Sequence, residues 1–380
     1  MSGVATTIVN AKVFDGAERS GWTSVRFADG VITGDQAPEP GDEVVDAQGG
    51  TVLPGLIDTH VHLVPGALQQ SLNHGVTTVL DMFSEPSVVA TARTQARERK
   101  DVADVRSAGI GATAPGGHPA PLYPPFPTVA DARQAERFVA DLTADHLKVF
   151  SGVGGLWPAL DDATMTALVA AAHARGLVVV GHVSSPAGVA QVVSAGVDVM
   201  AHVPAQTLGD ALVRRIADAG IAVGPTLATV RNTLGAPLCS RAEDNLRRLA
   251  EAGVTLLAGT DAPNPGTVFG ESLHQELELL VRCGVTPARA LAAATSAAAR
   301  VFGLTDRGRV APGLRADLVL VSGEPLADIT ATRSVERIWR AGEECERRPF
   351  VPDAAEAAQL EAFDARIEKV VAEVRARRPR

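Results

Sequence analysis

A chain of 380 residues, 46% hydrophobic and 21% charged, can bury one large core or two smaller ones and has the balance of a soluble globular protein. Its formal charge of −9 gives no basic surface to track phosphates, which sets nucleic acid aside as a main partner. Three scattered cysteines, Cys239, Cys283 and Cys345, argue against a disulfide framework or a cysteine-rich zinc site, and no apolar run is long enough to span a bilayer.

The opening "MSGVATTIVNAKVFDG" lacks a basic n-region and a long apolar stretch, so it reads as a strand of a cytoplasmic protein and not as a leader. Residues 1–54 continue as short strands broken by turns, as in "FADGVITGDQAPEPGDEVVDAQGG". Next, "GLIDTHVHLVPG" places His60 and His62 two residues apart at the end of an apolar run. Side chains at i and i+2 share one face of a strand, so both imidazoles point the same way.

From there a rhythm repeats: a helical stretch closes on glycine, a β-branched run follows, and a polar residue ends it. "NHGVTTVLD" ends at Asp81, "SAGIGATAPGGH" leads to His118, and "DHLKVF" carries Lys148. "ARGLVVVGH" ends at His182, "SAGVDVMAH" at His202, "DAGIAVGPT" at Thr226 and "EAGVTLLAGTD" at Asp261. The glycines suit the left-handed position that closes a helix, and the continuous apolar runs suit parallel strands covered on both faces. Between them lie patterns such as "DDATMTALVAAAHARG", with Asp161 or Asp162 as N-cap and Gly176 as stop. Eight alternations over 55–306 predict an α/β fold, a (β/α)8 TIM-like barrel.

After the barrel, 307–346 returns to strands in "GRVAPGLRADLVLVSGEPLADITATRSVERIWRAG". Neither this part nor 1–54 suffices for a core alone, and pairing them predicts one small β-sandwich built from both chain ends. In 347–380, Leu360, Phe363, Ile367, Val370 and Val374 recur at helical spacing. They predict an amphipathic helix, with its arginine-rich end matched to the helix dipole, packed on the body or on a second copy in a homo-oligomer.

Active-site groups of such a barrel sit at the C-terminal ends of its strands, a condition met by His60, His62, Lys148, His182, His202 and Asp261. Singly, each has an ordinary explanation: a satisfied strand-end polar residue, a helix cap for Asp261, an ion-pair partner for Lys148. Together, four of the nine histidines converge on one mouth beside a carboxylate. Imidazole nitrogen and carboxylate oxygen are standard zinc donors, and four imidazoles would be costly to desolvate without a cation. The pattern predicts a metal centre.

The pieces "VLPGLIDTHVHL", "HGVTTVLDM", "LKVF", "GHV", "AHV", "GTDAP", "VTPARALAAATSAAARVFGL" and "GRVAPGLRADLVLV" resemble the amidohydrolase superfamily over nearly the whole chain. The spacing looks most like the prolidase-like branch, which includes carboxypeptidase-type and ochratoxin-hydrolysing enzymes. The resemblance implies two Zn2+ per chain bridged by N6-carboxylysine at Lys148. His60, His62 and Asp261 would hold the more buried ion, and His182 and His202 the second. It implies a hydrolase that cleaves a C–N bond of a small amide or peptide-like substrate, with a metal-bridging hydroxide and Asp261 as general base, then acid. Carboxylation needs a desolvated lysine with a lowered pKa. His118, in "APGGHPAP", resembles a Gly-Gly-His loop that touches substrate, although Pro119 follows it where glycine is expected.

Specificity belongs in the loops after the strands. Tyr123 in "GGHPAPLYPPFPT", Trp157 in "SGVGGLWPALD" and Arg231 in "TLATVRNTLGAP" are the candidate substrate contacts, an apolar pocket with few polar anchors. Arg231 reads either as a clamp for the carboxylate of an N-acyl amino acid or dipeptide or, with slightly more weight, as an ordinary surface arginine. Lactone or ester hydrolysis fits the same centre. A mononuclear deaminase of a heterocyclic base would use His60, His62, one later histidine and Asp261, but it lacks a strand-end glutamate beside His202 as proton shuttle. A non-catalytic scaffold would have lost ligands, and none is missing. Asp58 is expected behind the ligands, Asp81 as a tie between strands, and His74, His146, His173 and His274 as structural residues.

Overall fold

The computed structural model of the chain describes residues 4–119, 127–152 and 157–377. The fold is mixed α/β. The N-terminal segment forms six short strands: β1 (Thr6–Val9), β2 (Lys12–Val13), β3 (Val25–Ala28), β4 (Val31–Gly34), β5 (Glu43–Asp46) and β6 (Thr51–Pro54). In β3, buried Val25 and Phe27 alternate with part-exposed Arg26 and Ala28, the period of a strand with one covered face. One sheet runs β4-β3-β1-β5.

A second sheet joins the two ends of the chain. Its order is β16-β15-β14-β6-β2, with β14 (Leu318–Val321), β15 (Val335–Arg340) and β16 (Glu343–Glu344) supplied from beyond residue 306. Val52 of β6 faces Leu320 of β14 in an antiparallel ladder. Ile8, Phe27, Ile32, Val52, Leu318 and Trp339 share one buried cluster, where the Phe27 and Trp339 rings meet edge-on at 5.8 Å.

Between the ends lie two parallel sheets. One runs β7 (Leu56–Val61), β8 (Val76–Asp81), β9 (Asp104–Ser107). The other runs β10 (His146–Phe150), β11 (Val178–His182), β12 (Val199–Ala201), β13 (Ala222–Gly224). Their apolar residues are almost all buried, which is why these stretches read as continuous apolar runs. Helices follow most strands, and Asp161 caps the helix Asp162–His173 by accepting from the Thr164 N–H at 2.7 Å.

Two of the eight expected strands differ. The third was expected in "SAGIGATAPGGH" but forms earlier, at Asp104–Ser107, with Ala112 making a single bridge to Val149. Glycine punctuates the stretch, and a Cβ on Gly111 would sit 2.6 Å from the Phe150 ring. The eighth, "VTLLAGTD", makes an isolated bridge at Leu256, with a second just beyond it at Ala262, and Asp261 between them is left-handed with φ 59°.

The C-terminal helix Ala354–Arg377 lies on the body: Phe363 is buried, and Leu360 and Ile367 pack against the main core. Cys239, Cys283 and Cys345 are buried and free. Among the described residues, no helix is long and apolar enough to cross a membrane.

Candidate functional site

Construction of the site starts at β7. Asp58 is wholly buried, and its carboxylate accepts from the His60 N–H (3.1 Å), the Thr260 N–H (3.0 Å) and the Thr260 hydroxyl (2.7 Å). Burial pushes its pKa up to about 7 against those hydrogen bonds. This clamp ties β7 to the residue before Asp261. Gly259 allows the approach, since a Cβ there would come within 2.7 Å of the His60 Cβ. The Asp261 N–H then donates to the His60 carbonyl at 2.7 Å.

Asp261 Oδ1 consequently lies 2.9 Å from His62 Nε2 and 3.3 Å from His60 Nε2. His62 Nδ1 is 3.0 Å from the Phe83 carbonyl, which can only accept, so Nδ1 carries the proton. In a neutral imidazole Nε2 would then aim a lone pair at a carboxylate oxygen. That contact is satisfied by a second proton on His62 or by a cation between the two atoms. A ligand histidine commonly donates its other N–H to a backbone carbonyl in this way.

Lys148, wholly buried in β10, places Nζ 3.5 Å from His60 Nε2. Burial lowers its pKa to about 7 despite Asp261 and Asp81. His182 ends β11, and among the described residues its buried Nε2 has no hydrogen-bond partner. Its ring centroid lies 4.6 Å from that of His202, which in turn lies 4.8 Å from His60. His202, His60 and Asp261 bring one ligand atom each within 4.8 Å of one another. Burial holds His60 and His182 well below the usual imidazole range and lowers His202 to about 4. Burial alone would raise Asp261, but the His62 hydrogen bond and the electrostatic influence of His202, His62 and Lys148 outweigh it and keep Asp261 below its usual value. Neutral imidazoles, an ionised carboxylate and an orphaned ring nitrogen fit a divalent cation.

Among the described residues, three of the seven non-glycine residues with positive φ lie here. His202 (φ 73°), Thr226 (φ 50°) and Asp261 (φ 59°) are left-handed without being glycine, and His202 Nδ1 is 2.8 Å from the Thr226 hydroxyl. Sequence reasoning noted Thr226 only as a strand end and missed its support. That support is Glu276, buried on the helix Glu271–Arg282, whose carboxylate accepts from the Leu227 N–H (3.0 Å) and the Ala228 N–H (2.7 Å). Burial pushes Glu276 up to about 8 against those bonds. A signal existed: Glu276 interrupts the buried stripe of Leu273, Leu277 and Leu280.

Asp81 accepts from the Ser84 and Ser107 hydroxyls, both at 2.5 Å, and so ties β8 to β9 as expected. His118 lies with its ring centroid 5.6 Å from those of Phe150, Trp157 and His182, and burial lowers its pKa to about 3. Trp157 is thus beside His118. Tyr123 lies outside the described residues. Arg231 lies on the helix Leu227–Leu234. Half-exposed, it directs its guanidinium to Glu243 at 3.8 Å, and Glu243 also holds Arg282.

The sequence profile of the amidohydrolase family matches residues 51–345. The imidazolonepropionase of Anaeromyxobacter sp. is 31% identical over 338 residues, covering 74% of this chain and 77% of that protein. A stretch of 43% identity to the imidazolonepropionase of Deinococcus deserti covers only 25% of each. The adenine deaminase of Bacillus velezensis is 29% identical over 92% of this chain and 60% of its own length. Among solved structures, a Xaa-Pro dipeptidase with bound methionine matches with TM-score 0.79 at 22% identity, over 90% of this chain and all of that one. The A. niger ochratoxinase matches with TM-score 0.75 at 20% identity, over 90% and 96%. These structural likenesses speak to the fold.

Proposed function

Because the chain belongs to the amidohydrolase family, we propose that it is a metal-dependent hydrolase of a C–N bond in a small substrate. The observation that carries this reading is the 2.9 Å contact between His62 Nε2 and Asp261 Oδ1, which a cation completes. His60, His62 and Asp261 would hold one ion, His182 and His202 a second, and Lys148, as a carbamate, would bridge them. The lowered pKa of Lys148 supports this, since an amine reacts with CO2 only when neutral. Zinc suits the nitrogen and oxygen donors.

Divalent ions held there supply Lewis acidity toward a water and toward the scissile carbonyl. The remaining work falls to the chain. Asp261, kept ionised, takes a proton from the attacking water and returns it to the leaving nitrogen. His118, kept neutral, presents an N–H to the substrate without adding charge. Asp58 and Thr260 fix the carboxylate that moves the proton.

The parallel strands are proposed to close into a (β/α)8 barrel over 55–306. The bridges Ala112–Val149, Val223–Leu256 and Val61–Ala262 support closure. Residues 1–54 and 307–346 are proposed as one β-sandwich around the Phe27–Trp339 cluster, with 347–380 as a packing helix. Free, buried cysteines suit a reducing compartment and support a cytoplasmic location.

Metal analysis of the purified protein should give close to two equivalents per chain, and Lys148→Ala should lose at least one of them. Failure to bind any divalent ion defeats the proposal. One second reading has an observation in its favour, the similarity to an adenine deaminase. Ammonia release from amino-heterocycles without cleavage of carboxamides would select it.

A further inference from the structure

Resting on that reading of the site, we infer that the pocket takes a neutral substrate with an aromatic or broad apolar group beside the scissile amide, and discriminates against a free carboxylate. This departs from the N-acyl amino acid or dipeptide that a clamping Arg231 would suit.

The first support is the distribution of charge. The stretches that follow the parallel strands are 62–66, 82–85, 108–131, 151–161, 183–185, 202–209, 225–226 and 262–270. None of the chain's 35 lysines and arginines falls in them. The ionised side chains they do contain, Glu85, Asp131 and Asp161, are acidic, and Asp261 adds another at the site itself. Lys148 is sealed inside β10, and Arg231 is turned to Glu243. Among the described residues, a carboxylate remote from the scissile bond would therefore leave water with no guanidinium or ammonium of these stretches to receive it. That desolvation is unfavourable unless a partner compensates it.

The second support is the concentration of rings. Only 4% of the residues are Phe, Trp or Tyr. Yet Phe83 lies 4.3 Å from the His62 ring and 5.5 Å from Phe150, and Phe150 lies 5.4 Å from His182. Trp157 continues the wall beyond His118. The ring contacts thus extend along the ligand set from His62 to His182. These rings are themselves nearly buried, Phe150 at 1%, Phe83 at 5% and Trp157 at 8%, so a substrate ring meets their exposed edges, in edge-on or offset contact. A group bound away from the metal ligands finds apolar faces and no lysine or arginine of these stretches, which selects by what it withholds as much as by what it offers.

Matched substrates test this on the zinc-reconstituted protein. N-ethyl phenylacetamide and N-phenylacetyl-alanine share one scissile amide and differ in a carboxylate. N-ethyl acetamide lacks the ring. The neutral aryl amide should exceed the acid in kcat/KM at least tenfold and exceed the methyl analogue at least tenfold. In Trp157→Ala, with unchanged metal content and melting temperature, the aryl-to-methyl ratio should fall at least fivefold. An acid cleaved as well as the neutral amide, or a ratio unmoved in the variant, overturns the inference. If the metal-loaded protein cleaves no amide, the hydrolase reading fails by itself and calorimetry decides the pocket's preference. Tenfold tighter binding of the neutral compound then upholds the inference, and equal or tighter binding of the acid overturns it.

Discussion

Asp261 has three demands on one carboxylate: it faces His60, His62 and His202, its backbone is left-handed, and it moves a proton in the proposed reaction. Asn keeps the shape and loses the charge, so Asp261→Asn should lower kcat by about 10²–10⁴-fold, the usual worth of a positioned general base, and also lower metal content. Rates and metal stoichiometry measured on one preparation check this. Away from the centre, His274 shows what burial of an imidazole does to stability. Its pKa is lowered to about 4 by burial, while the unfolded chain keeps the ordinary value of 6.5. Between those values the unfolded state binds more protons, so this contribution is present near pH 7 and is lost as pH falls toward 4. Urea midpoints of the apo-protein should drop between pH 7 and pH 5, and His274→Gln should make that drop smaller by its own share, the rest coming from His60, His118, His182 and His202.

Elements place these residues through close approaches that few side chains allow. Gly259 has ordinary backbone angles but no room for a Cβ beside His60. Gly259→Ala should push the Asp261 segment from β7 and reduce activity at least tenfold, with circular dichroism little changed. Glu276 works from the opposite side by holding the helix Leu227–Leu234, and through it Thr226, against His202. Glu276→Gln offers one acceptor where two N–H groups need satisfying, and should cost about 1–3 kcal/mol in urea unfolding. Strand periodicity and the glycine stops mark where each strand ends, and the six proposed ligands are named from those positions. Glu276 was not, because its partners lie 48 and 49 positions away and only the folded chain brings them together. The third strand was misplaced for a related reason: the glycines at 109 and 111 follow a strand that charged Asp104 and Arg106 hide from a search for apolar runs. The pairing of Arg231 with Glu243, one helix further on, is not legible in local sequence.

At the scale of the whole molecule, the flanks depend on each other. Trp339 is almost wholly buried among residues of β1, β3, β6 and β14. Trp339→Ala should cost about 3–5 kcal/mol, read from denaturant midpoints, by loss of transfer energy and the cavity left behind. The pairing of both termini was readable in outline, since neither end carries enough apolar residues for its own core, but the register of β6 on β14 was not.

That ladder has a bearing on biosynthesis. β6 leaves the ribosome long before β14 exists, so its β14-facing edge waits while some 260 residues are made, on the order of tens of seconds at about 5–20 residues per second. Throughout that interval a nascent chain exposes an unpaired apolar strand of the kind that templates misassembly. Yield in a cell-free translation should then track the supply of holdase chaperones more steeply than refolding of the finished chain does.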